Sequence, residues 1–277
     1  MPALAALFFV SGASALIYQT LWARELSLVF GVTIHATSTV LSVFMAGLAL
    51  GSYLGGRLAA RVARPLCAFG VMELVVGLCG LVNAPLLAVV AREYAAHTSS
   101  PTGAWIFLLR ILLTAAVLLV PAVAMGATLP LALQSSVVRG RGGVAVLYGA
   151  NTAGALVGSL VSGFVLLPYF GMLRTSWMAV AASLVVAAIL ILWDRRLPAD
   201  APSTAPASGH QRVSWTDATG LFLAGLGSLA LEVVWVRMLV VVLQPTTYAF
   251  TIMTASVLAG LAAGSAVAAR IGRVGRV

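Results

Sequence analysis

The chain is a succession of apolar runs of about 20 residues or more, separated by short polar stretches that hold most of its arginines. Runs of that length suit α-helices crossing a hydrocarbon core of about 30 Å, not the shorter alternating strands of a membrane β-barrel. Eight spans are predicted, at 4–28, 33–54, 66–90, 104–133, 144–167, 174–193, 217–239 and 247–269. Pro121 and Pro130 each remove a backbone donor and predict bends in the fourth span, while Pro168 with Gly171 predicts a tight turn between the fifth and sixth. The first run has no basic residue before it, which argues against a cleaved signal peptide.

Part of this pattern occurs twice. Gly47, Gly51 and Arg57 correspond to Gly260, Gly264 and Arg270 at a constant offset of 213, the difference between 47 and 260. Upstream and without a gap, Phe9, Gly12, Leu16, Trp22, Arg24 and Leu26 correspond to Phe222, Gly225, Leu229, Trp235, Arg237 and Leu239. Two copies of one helical hairpin are expected. The organisation predicted is a six-helix membrane half over 1–193, a flexible Pro-, Ala- and Ser-rich linker over 194–214, and the start of a second half over 215–277. The fold class is all-α, a major-facilitator-like half followed by the first hairpin of a parallel repeat.

Composition agrees with this reading: 61% of residues are hydrophobic and 8% charged, far from the soluble range. A net charge of +9 suits nucleic-acid binding in principle, but the arginines stand singly or in small groups at the ends of apolar runs. The lipid bilayer, not nucleic acid, is the expected partner. Arginines gather after spans two, four, six and eight, at Arg57/Arg61/Arg64, Arg139/Arg141, Arg195/Arg196/Arg212 and Arg270/Arg273/Arg276, so those loops and both termini are expected in the cytoplasm.

Candidate chemistry lies in the polar residues within the spans. A carboxylate facing lipid costs about 2.5–3.5 kcal/mol, so Glu73 and Glu232 should face the bundle interior, either as a cation or proton site or tied to a neighbouring helix through Arg24, Arg110 or Arg237. Gln19 occupies in the first hairpin the position of Glu232 in the second. Tyr18 and Asn151 are further candidates for a substrate cavity. Arg24 and Arg237, near helix ends, are expected to snorkel to headgroups. The glycine stripes are expected to pack helices closely. No spacing of Cys, His, Asp or Glu matches a metal motif, and no catalytic residues are assigned.

Residues 11–24 (SGASALIYQTLWAR), 28–31 (LVFG), 47–57 (GLALGSYLGGR), Met72-Glu73-Leu74 with Gly77, 125–131 (MGATLPL), 147–155 (LYGANTAGA) and 166–168 (LLP) with Gly171 together resemble the membrane part of the fused major-facilitator/spermidine-synthase proteins of bacteria. The resemblance covers nearly the whole chain apart from the linker. Where the family usually has a glutamate this chain has Gln19, and where it usually has an aspartate to pair with loop arginines this chain has Ala60. The resemblance implies a bacterial inner-membrane protein that anchors a synthase and handles a small cationic solute such as a polyamine. It also implies two partners, further C-terminal helices and a downstream aminopropyltransferase-like domain, with decarboxylated S-adenosylmethionine bound by that domain and no cofactor in the chain itself. An autonomous major-facilitator-type transporter and a scaffold without solute remain the alternatives.

Overall fold

The structure, a computed structural model, describes residues 1–31, 34–97, 103–138, 143–198, 214–243 and 246–274. The Arg139/Arg141 loop, most of the predicted linker with Arg212, and the side chains of Arg270, Arg273 and Arg276 lie outside them. Every regular element among the described residues is helical: α1 (Pro2–Phe30), α2 (Ile34–Ala59), α3 (Pro65–His97), α4 (Gly103–Leu133), α5 (Gly143–Val161), α6 (Leu167–Asp194), α7 (Trp215–Leu243) and α8 (Thr246–Val274). Helices are the expected solution for such apolar sequence, because lipid offers backbone N–H and C=O groups no partner outside the segment.

Seven helical runs are long and apolar enough to cross a membrane, and one of them, Gly143–Asp194, is 52 residues long. A straight helix of that length would run roughly 78 Å, well over twice the hydrocarbon thickness. It is folded instead. Gly171, at φ 74 and ψ 175, breaks it, and a left-handed φ is open to glycine without a Cβ penalty. The contacts on either side confirm a reversal. Gly154 and Gly158 pack on Phe9 and Ala13, so α5 runs parallel to α1; Gly70, Gly77 and Gly80 pack on Ala187, Leu184 and Val180, so α6 runs antiparallel to α3. Since Ser11 meets Glu73 and Glu25 meets Asn83, α1 and α3 are parallel, and α5 and α6 therefore oppose one another.

Of the two residues expected to make the turn, Gly171 makes it and Pro168 does not. Helix continues through Pro168 and reverses three residues later, after a π-helical turn at Ser162–Leu166. Proline cannot bond the carbonyl four residues back and its ring presses on that carbonyl; the wider turn before it accommodates the mismatch. A Cβ on Gly163 would overlap Thr251 of α8, so the turn also lets α8 approach. Pro85, Pro121 and Pro130 lie inside continuous helices.

Close pairs are α1 with α5, α2 with α4, α3 with α6, α3 with α4 and α1 with α6. Exchanging α1, α2 and α3 for α4, α5 and α6 maps this set onto itself. Two apolar cores fill the six-helix body, one around Tyr18, Trp22, Phe44 and Leu118, the other around Phe8, Phe69, Leu147 and Leu190. The glycine stripes act as packing surfaces: Gly47, Gly51 and Gly55 press on Ala122, Val123 and Ala127 of α4.

Two further boundaries differ from the sequence reading. α3 runs on to His97, carrying Arg92, Glu93 and Tyr94 with it, because polar residues end an apolar run without ending a helix. Asp194 is not the start of a linker but the last residue of α6, and it is buried. Arg64 donates from Nη1 to its main-chain carbonyl at 2.7 Å, with the Asp194 carboxylate 3.6 Å away. The carboxylate expected but missing at Ala60 is thus supplied from α6.

Candidate functional site

Two polar regions stand out against the apolar body. The first is the junction of α1, α3 and α6. Glu73, 3% exposed, accepts a hydrogen bond from the Ser11 hydroxyl. Ser14 bonds the Ser11 carbonyl at 2.9 Å and accepts weakly from Ser183 of α6 at 3.4 Å. A second tie joins α1 and α3 where Asn83 Nδ2 donates to Glu25 Oε2 at 2.6 Å. Tyr18 lies between them, stacked on Trp22 with ring centroids 4.9 Å apart and pressed against Gly80. No arginine pairs with Glu73 or Glu232 among the described residues. Arg110 instead donates to the Tyr94 hydroxyl at 2.8 and 3.0 Å.

The second region is a cleft between the α1–α2 hairpin and the α7–α8 hairpin, about 750 Å³ including its open mouth. Its polar lining is Arg24, Thr20 and Ser27 from α1, Thr37 from α2, Arg237 from α7 and Thr247 from α8. Valines of α7 and Phe250 supply an apolar wall. Arg24 does not snorkel outward: its Nη1 donates to Thr247 Oγ1 at 2.6 Å. Among the described residues no carboxylate lines the cleft. Glu25, next to Arg24 in sequence, is turned a quarter of the way round α1 towards α3.

The residues singled out from sequence do not converge. Glu73 and Tyr18 are in the α1–α3–α6 junction. Gln19 is buried on α1 and Glu232 is buried on α7, each without a hydrogen-bond partner among the described residues. Asn151 is half-buried on α5, where its backbone and side chain face Gly12. None of the five lines the cleft. Arg24 and Arg237 do, and the signal that links them in sequence is their separation of 213 residues, the same offset that relates Gly47 to Gly260.

Comparison with known proteins adds one similarity. It is to an aminopropyltransferase. The chain is 37% identical over 191 residues to polyamine aminopropyltransferase 2 of Streptomyces coelicolor, a match covering 66% of this chain and 32% of that protein. The chain thus spans about a third of the length of the curated relative it matches. No family model matches it, and no solved structure does so significantly.

Proposed function

We propose that the chain is the membrane-embedded module of a polyamine aminopropyltransferase-like protein and serves to hold a synthase domain at the bacterial inner membrane. One observation carries this reading. A relative named for aminopropyl transfer shares its sequence with a stretch that here consists of membrane-length helices. The module takes a major-facilitator-like form on this reading. Support comes from the helix pairs, which exchange under a swap of the first three helices for the next three, as nested inverted repeats require.

Aminopropyl transfer requires a pocket that aligns an amine with a sulfonium carbon and carboxylates that hold a polycation. The described cleft lining, with two arginines and no carboxylate, does not fit decarboxylated S-adenosylmethionine or a polyamine. Those ligands belong, on this reading, to the synthase domain. Handling of a cationic solute would fall to Glu73 and Glu232, and the serine-bonded, enclosed setting of Glu73 supports a structural tie instead.

The test is retention. A tagged copy of the chain, extracted from bacterial membranes in mild detergent, should hold back spermidine-forming activity above an untagged control. Activity found wholly in the soluble fraction would remove the anchoring reading. Saturable polyamine uptake into vesicles carrying the chain, lost with Glu73→Gln, would replace it with transport.

A further inference from the structure

We propose that the cleft between the α1–α2 and α7–α8 hairpins is an anion site that takes a phosphate-type oxyanion, presented either by an acidic phospholipid headgroup or by free phosphate. Arginine is suited to this chemistry, since its planar fork of donors matches phosphate oxygens. Each hairpin contributes one, Arg24 and Arg237, at equivalent positions in the two related sequences. On α8 the Thr247 hydroxyl stands beside them, its oxygen accepting from Arg24 and its own O–H donating to no group among the described residues; Ser27 and Thr20 of α1 also line the cleft, with their O–H groups donating to the carbonyls of Arg24 and Leu16.

The electrostatics require a counter-charge. Two guanidinium groups line one cleft, and like charges repel more strongly where apolar walls lower the dielectric. The described lining offers no carboxylate to offset them. Arg24 spends one donor on Thr247, a neutral group, out of five that a guanidinium carries. Arg237 makes no hydrogen bond or ion pair among the described residues. Of the two carboxylates close by in sequence, Glu25 is held by Asn83 on the α3 side, and Glu232 is buried on α7 and is not among the residues that line the cleft.

The helix ends add to this field. Thr37 lies in the first turns of α2 and Thr247 in the first turn of α8, so two helix N-termini with their positive dipole ends border the same cleft as the arginines. The wall of α7 valines and Phe250 gives an acyl chain somewhere to lie, and an amphiphilic anion would use both halves of the lining. The proposal is independent of whether the chain anchors a synthase.

The full chain, purified in a neutral detergent, would be titrated with phosphatidylglycerol, with phosphatidylcholine, and with sodium phosphate against sodium chloride at equal ionic strength, following thermal unfolding. Phosphatidylglycerol should stabilise in a saturable way that phosphatidylcholine does not reproduce. Arg237→Gln should weaken that apparent affinity about tenfold, as loss of one charge-assisted contact implies. Because Arg237 is exposed, this variant should fold as the unaltered chain does; Arg24→Gln, which also loses the Thr247 bond, is the second variant. Arg92→Gln, which removes an exposed arginine outside the cleft lining, is the control. If phosphate alone gives the same saturation and the same loss with Arg237→Gln, the site stands and its ligand is the free oxyanion. Equal responses to the two lipids with no difference between phosphate and chloride would overturn the proposal, and so would indistinguishable behaviour of Arg237→Gln and Arg92→Gln.

Discussion

The α1–α2 and α7–α8 hairpins share residues at a fixed offset, yet they live in different surroundings. In its most apolar window α1 has 56% of its residues buried and α7 has 6%. Trp22 is 1% exposed and stacked on Tyr18, while Trp235, its counterpart, is 54% exposed. Gly47 and Gly51 press on α4; Gly260 and Gly264 have no neighbour among the described residues within 4 Å of where a Cβ would stand. The same sequence pattern therefore makes the same helices but not the same contacts. A small-residue stripe is permission for close approach, and what approaches is decided by the rest of the bundle.

The sharpest way to break this comparison is to truncate the two tryptophans. Trp22→Ala should cost about 3–5 kcal/mol, as for other large core truncations, and Trp235→Ala should stay within about 0.5 kcal/mol, both read from unfolding of the detergent-solubilised chain. Equal losses would mean that α7 is packed as tightly as α1.

Next come the glycines. Gly51→Val places a Cβ against the Val123 carbonyl and should destabilise by about 3 kcal/mol, the upper end of ordinary overpacking. Gly264→Val should be close to neutral. A large loss at Gly264 in the same chain would show that a partner covers α8.

The carboxylates sharpen the contrast on a smaller scale. Glu73→Leu leaves the Ser11 hydroxyl without its acceptor and should cost about 1–3 kcal/mol. Glu73→Gln, which keeps an acceptor oxygen, should recover most of it. Glu232→Leu removes no hydrogen bond and should be neutral or stabilising. A Glu73→Leu chain as stable as the parent would show that the serine contact contributes nothing.

Smallest is Arg64→Ala. It loosens the fastening of the α2–α3 connection to Asp194, and with the Arg64 side chain 43% exposed the cost should not exceed about 1 kcal/mol. The same thermal assay reads it.

Hydropathy made the spans legible because the bilayer thickness dictates their length, and it left their ends illegible for the same reason. The apolar run of α3 stops near residue 90, while the helix goes on to His97, where Glu93 and His97 share one face outside the apolar stretch. The turn between α5 and α6 was legible as Pro168 with Gly171, though not which of the two would make it. The actual reversal needs a left-handed residue, which Gly171 supplies. The role of Asp194 could not be read at all: its partner Arg64 is 130 positions away. Polarity inside a span did not point to the cleft. It pointed to Glu73, Tyr18 and Gln19, which the packing of α1 buries, whereas Arg24 and Arg237 were read one helix at a time and so assigned to the headgroups. Their 213-residue offset was legible in the sequence, and the facing of two hairpins is what puts both in one cleft.

The π-helical turn at Ser162–Leu166 bears on how this chain can change in length. Each residue of an α-helix turns the chain by about 100°, so a deletion within α5 would swing everything beyond it off its contacts. A π turn holds one residue more than the α ladder needs. Losing one residue from this turn would restore an ordinary helix while leaving both Gly158 against α1 and Tyr169 beyond the turn at their present angles. Related chains that differ by a single residue should place the difference here, at the wall that α8 leans on, and not in the arms to either side.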